Sequence, residues 1–124
     1  MKGKLRTGSY EDMALIEIAL LRVDTEKEKG VLVFLPGEIF VRLGLKIRNN
    51  FRLDNILIVG HYDKRIGYVP DEFDFERGGY AATQVPRING VFPFEKNVGE
   101  ILVAETLQLI EDLDQGRHQN KHFP

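Results

Sequence analysis

Two short, nearly uninterrupted apolar runs, VLVFL at 31–35 and ILIVG at 56–60, constrain this chain more than anything else in it. Each is too short for a buried helix and rich in β-branched residues, so both read as buried strands. Between them, EIFVRLGLKIR at 38–48 spaces Phe40, Leu43 and Ile47 as one face of a helix. Its basic residues gather toward the end, where the helix dipole favours them. Gly44 works against this helix by about 1 kcal/mol relative to alanine. A strand, a helix and a strand of these lengths form a βαβ-like crossover, so the sheet should be at least partly parallel. Upstream, MALIEIALLRV at 13–23 is a third apolar run, joined to the first strand by the charged turn DTEKEKG. That arrangement predicts a hairpin, with a strand over 14–23.

Periodicity fades between 61 and 96, where prolines and glycines gather. A loop-rich excursion of that length in a small domain usually serves binding or catalysis. Regularity returns in NVGEILVAETLQLIEDL at 97–113, the strongest helix signal in the chain. Asn97 is placed to cap it, Glu100 completes a capping box, and Val98, Ile101, Leu102, Leu109 and Leu113 supply an apolar face. Gly116 ends it, and 114–124 reads as a flexible tail. The expectation is a single α/β domain over 1–124: a small mixed β-sheet, flanking helices and a long functional loop.

Composition narrows the function. The 124 residues suit one domain, and 43% apolar with 29% charged residues is ordinary for a globular chain. A net charge of −2 with interspersed signs gives no nucleic-acid footprint. The absence of cysteine excludes disulfides and thiolate metal sites. No apolar run reaches the length of a membrane span. The segment MKGKLRTGSYEDM is not followed by a small-residue cleavage site, so no secretory signal is expected. A cytoplasmic protein is the default.

The residues able to carry chemistry are few. Glu38 follows Pro36-Gly37 at the end of the first strand. The plain reading is a carboxylate in a helix's first turn, favoured by the dipole; the sharper one notes that ligands of open α/β sheets bind at strand carboxyl ends. Tyr68 and Tyr80 each follow a glycine in IGYVPDEFDFERGGY, 66–80. A loop tyrosine ordinarily packs its ring and satisfies its hydroxyl, but it also serves as an oxyanion donor or a metal ligand. His61 stands directly after the second strand, where a ligand, a general base or a solvated histidine all fit. His118 and His122 are four apart, without the intervening glutamate of a metalloprotease motif. Asp71, Glu72, Asp74 and Glu76 read as a solvated acidic face after Pro70, at a helix start. Serine occurs once, at Ser9, with no nucleophile elbow around it.

Taken in order, VLVFLPGEIFVRLGLKIR, ILIVG, IGYVPDEFDFERGGY and NVGEILVAETLQLIEDL resemble the last part of the catalytic domain of the neutral/alkaline, non-lysosomal ceramidases. The likeness runs over about 14–113. The family's domain is longer, so the chain corresponds to its C-terminal portion. The resemblance implies a zinc amidohydrolase acting on N-acyl amide lipids, with zinc held by two histidines from the upstream portion, the glutamate of Pro-Gly-Glu and the tyrosine of Gly-Tyr. Residue by residue, it implies Glu38 and Tyr68 as metal ligands, and Tyr80 as the hydroxyl that steadies the substrate carbonyl. Departures from the pattern are Asp63, where asparagine is common, Arg65, where an aromatic is common, and Ala81 after Tyr80. The histidine ligands and the nucleophile region have no counterpart here. A partner chain carrying the upstream half, or a homo-oligomer, is therefore implied for activity. The alternative is a non-catalytic α/β domain that keeps the scaffold and binds a ligand or partner.

Overall fold

The computed structural model describes residues 2–4, 13–51, 55–63, 66–90 and 93–116. Its elements run β1 (Lys2–Lys4), β2 (Met13–Leu15), β3 (Ala19–Asp24), β4 (Lys29–Phe34), β5 (Glu38–Ile39), α1 (Val41–Asn49), β6 (Asn55–Val59), β7 (Tyr68–Val69), α2 (Glu72–Glu76), α3 (Tyr80–Ile88) and α4 (Val98–Asp114). His118, His122, Arg65, Ser9 and most of the expected tail lie outside the described residues.

The α/β fold expected from the apolar runs is present. β4 is the central strand of a three-stranded mixed sheet, antiparallel to β3 and parallel to β6. The β3–β4 turn closes through Thr25, whose Oγ accepts from Glu28 N at 3.0 Å while Thr25 N donates to Glu28 O at 2.8 Å. The strand expected over 14–23 is divided: β2 pairs with β1, and β3 begins only at Ala19. Two further strands, β5 and β7, form a parallel pair beyond the carboxyl ends of β4 and β6.

Alternation along β4 sends Val31 and Val33, continued by Leu35, into the core against Leu43 and Ile47 of α1 and Leu102 and Ile110 of α4. Fully burying a side chain of this size is worth ~1.5–3 kcal/mol, so this layer is the main source of stability. Gly99 lets α4 approach closely: a Cβ there would meet Leu43 at 2.6 Å and the Pro70 carbonyl at 2.7 Å. That contact fixes the chain just after β7 against the helical layer. At the far end of α4, Arg22 donates to the Leu113 carbonyl and to Asp114.

The other face of the sheet carries no helix among the described residues. Leu21, Leu32 and Leu57 stand in register across β3, β4 and β6, and Leu57 is 60% exposed. A strand such as β6, apolar on both faces, is what a sheet covered on both sides requires. Among the described residues no helix is long and apolar enough to cross a membrane.

Four further expectations are corrected. Helix α1 starts at Val41, not Glu38, because Glu38-Ile39 is drawn into a ladder with Tyr68-Val69. The loop-rich stretch holds two helices, α2 and α3, the second with Pro86 inside it. The acidic face after Pro70 is only half solvated: Asp71 and Asp74 are buried. Finally, Asn97 makes no side-chain cap bond, and Glu100 instead takes Lys46 Nζ at 3.0 Å.

Candidate functional site

The site begins with one sharp bend. After β4 the chain turns at Pro36-Gly37, and Gly37 adopts φ +68°, a left-handed conformation that disfavours any side chain. Space excludes one as well, since a Cβ at Gly37 would overlap the Gly67 carbonyl and lie 2.7 Å from Ile66. Around this peptide the strand ends are tied by backbone bonds. Glu38 N donates to Gly67 O at 2.8 Å, His61 N donates to Gly37 O at 2.7 Å, and Tyr62 N donates to Leu35 O at 3.0 Å.

These bonds bring distant residues together. Glu38 and Tyr68 are direct partners in the parallel β5–β7 pair, so their side chains leave the same face. The Tyr68 ring is steadied edge-on by Phe40, with centroids 6.2 Å apart. Its phenol is pushed above the ordinary tyrosine value, first by the negative charge of Glu38, then by desolvation, with a smaller push from Tyr80. His61 approaches from the end of β6, its Nε2 3.9 Å from Glu38 Oε2. It holds φ +58°, rare for a residue with a side chain, and Asp63 follows at φ +62°.

Tyr80 reaches the same region by a different route. Asp71 caps α2, its Oδ1 accepting from Asp74 N at 2.9 Å. Asp74, 1% exposed, then accepts from Arg77 Nε and Nη2 at 3.0 and 2.8 Å and from Ala82 N at 3.2 Å. Its carboxylate thus caps α3 from outside, where Gly79 offers no side chain of its own. Any side chain at Gly79 would overlap that carboxylate. Tyr80 is consequently the first residue of a firmly anchored helix, with its own ring 56% exposed. Arg42 of α1 clamps α2 in turn, stacking 4.3 Å over Phe73 and pairing with Asp71 at 3.9 Å.

All three residues singled out in the sequence, Glu38, Tyr68 and Tyr80, therefore belong to one neighbourhood, and His61 joins them. The carboxylate is open, with a side chain 52% exposed. Among the described residues no three of histidine, cysteine, aspartate and glutamate converge as a metal group, so a cation here would draw on the phenol as a donor. Carboxylate and imidazole are ordinary zinc ligands, whereas the charge of Glu38 disfavours the phenolate form of Tyr68. Asp71 and Asp74, by contrast, spend their oxygens on helix ends.

Asp74 escaped the sequence reading because its acidic neighbours masked it. The available signal was Asp71 three residues before Asp74, the spacing of an N-cap and its N3 position. No family model, curated protein or solved structure matches the chain.

Proposed function

We propose that this chain is the metal-site half of a ceramidase-like zinc amidohydrolase acting on N-acyl amide lipids. The observation that carries the reading is the register of β5 with β7, which sets Glu38 beside Tyr68 with Tyr80 at hand. The resemblance assigns the first two to zinc and the third to the substrate carbonyl, and their proximity supports that assignment. Zinc bound there supplies Lewis-acid polarisation of an amide carbonyl and a water of lowered pKa. Tyr80, at the start of an anchored helix, donates its hydroxyl to the oxygen that gains negative charge. A single donor of this kind is typically worth about 3 kcal/mol.

The remaining histidine ligands and the acyl-chain contacts come, on this reading, from a partner chain or a second copy. The bare row Leu21, Leu32 and Leu57 offers apolar surface of the kind that marks such interfaces. The same row favours a second reading, a non-catalytic domain that uses this face to bind a partner.

Zinc content and native mass of the purified chain separate the two. On the enzymatic reading, zinc affinity falls at least ~10-fold in Glu38→Ala and Tyr68→Phe and is unchanged in His118→Ala. Equal zinc binding in all of these variants leaves only the binding-domain reading.

A further inference from the structure

We infer that the bare face of the β3–β4–β6 sheet is the contact between two copies of this chain, stacked about a two-fold axis that runs along the row Leu21, Leu32 and Leu57. The inference does not use the zinc reading, and it names the occupant that the binding-domain reading leaves open.

Strand register defines the face. The leucine row has Ala19, Phe34 and Val59 on one side of it and Val23, Gly30 and Asn55 on the other. None of these residues is charged. Leu21, Val23 and Leu57 are 52%, 47% and 60% exposed. A face without charge meets its own copy without repulsion, and a two-fold contact requires a patch that fits itself. Segments 5–12 and 117–124, LRTGSYED and RHQNKHFP, are mostly polar and poorly suited to cover three leucines.

Gly30 supplies the specific observation. Its φ is not left-handed, and a Cβ added there would find ordinary contacts, 3.4 Å to the Asn55 carbonyl and 3.5 Å to the Val23 carbonyl. One chain alone therefore has no need of glycine in its central strand, where it weakens a sheet. Such a glycine often marks a close approach by a ligand or another backbone. Val23, Gly30, Leu32, Asn55 and Leu57 line a hollow of about 570 Å³ that reaches Arg48 near the end of α1. On the other side of the leucine row stands a knob, Phe34 packed against Tyr62 with ring centroids 5.6 Å apart.

Knob and hollow are placed as a two-fold axis needs them. Phe34 and Gly30 lie two residues to either side of Leu32 on the same strand and face, ~7 Å from it in opposite directions. Rotation about the leucine row sets Phe34 of each copy over Gly30 of the other, and Val23 over Ala19. Large residues thus meet small ones along both strands. The rims also match in charge: Glu17, which accepts the Tyr62 hydroxyl at 3.2 Å, flanks the knob, and Arg48 flanks the hollow. Glu28, also at the hollow, accepts from Asn55 Nδ2 at 3.5 Å. Three short strands make a small interface, so the expected state is a monomer–dimer equilibrium rather than a permanent dimer.

The test is sedimentation velocity of the full chain at concentrations up to about 1 mM, the range of weak complexes. Gly30→Val fills the hollow with a residue that strands favour, and Leu57→Lys puts a charge on an exposed position of the row. Each should weaken dimerisation at least ~10-fold, with no fall in the melting temperature of the dilute, monomeric chain. Adding Phe34→Ala to Gly30→Val should recover part of the loss, because the new side chain then meets a smaller one. Isotope-filtered NMR of mixed labelled and unlabelled chains should place Phe34 ring protons beside Gly30 Hα of the other copy. Within one copy the two residues are ~13 Å apart along the strand. A chain monomeric at every concentration, or a dimer that both variants leave intact, would overturn the inference. So would contacts from 5–12 or 117–124 of the same chain onto Leu57, which would show that the chain covers its own face. None of these results touches Glu38 or Tyr68, which belong to the β5–β7 pair.

Discussion

Two carboxylates, Glu38 and Asp74, divide the labour of this small domain. Asp74 is almost wholly buried and both its oxygens are engaged, by Arg77 and by the Ala82 amide. Glu38 is half exposed, and the groups nearest it, Tyr68 and His61, are themselves potential donors to a cation. The first carboxylate has no capacity left for chemistry, and the second has no packing role to lose. Each depends on a neighbouring glycine, Gly79 making room for the Asp74 carboxylate and Gly37 turning the chain so that Glu38 enters a ladder with Tyr68.

The contrast is broken most forcefully at Asp74. Asp74→Ala leaves the half-exposed Arg77 guanidinium without its partner and the buried Ala82 amide without its cap. The expected loss is about 2–4 kcal/mol of unfolding free energy by urea titration. α3 should loosen first, seen as faster amide exchange over 80–88. A loss under ~1 kcal/mol would mean that Asp74 is not the anchor of Tyr80.

Gly37→Ala tests the cradle of Glu38. It combines an unfavourable φ with overlap against the Gly67 carbonyl, so about 1–3 kcal/mol of stability should be lost. Because Gly37 also leads the chain into the ladder that pairs Glu38 with Tyr68, on the zinc reading affinity should fall along with stability even though neither residue is altered. Retained affinity would show that the donors are placed by something other than this backbone knot.

These two carboxylates also show where the sequence was legible. The β4–α1–β6 crossover could be read directly, because apolar runs and helical spacing are local signals that burial enforces. Glu38 could be located at a strand end, but its entry into β5 could not, because a two-residue parallel ladder is made by partners thirty positions away. α3 was hidden by Gly78-Gly79 before it and Pro86 within it, both ordinarily helix breakers. Its missing local signal is replaced by the Asp74 carboxylate, a tertiary contact. Tyr68 and Tyr80 stood out as the tyrosines of two Gly-Tyr pairs, but their separate roles came only through the resemblance. His61 was visible only as a histidine after a strand, since its approach to Glu38 depends on the parallel register of β4 and β6.

The smallest effect is the most discriminating. Glu38→Gln removes a charge from an exposed side chain and should change stability by no more than ~0.5 kcal/mol. Yet Glu38 is the leading reason that the Tyr68 phenol titrates above its ordinary value of 10.0, so the substitution should lower that titration toward the ordinary value. The sign for stability follows from linkage. A raised phenol favours the protonated form in the folded chain, so its contribution is complete below about pH 10 and is lost as pH rises through the folded value. The variant should therefore show less of that alkaline loss than the unaltered chain. Tyr62 supplies an internal control, because its phenol is raised first by Glu17, which accepts its hydroxyl at 3.2 Å. Phenolate absorbance followed across the alkaline range should shift for Tyr68 alone, with Tyr68→Phe identifying its component. If Glu38→Gln leaves every phenol where it was, the Glu38 carboxylate does not act on Tyr68 in solution, and only the β5–β7 register still joins the two residues.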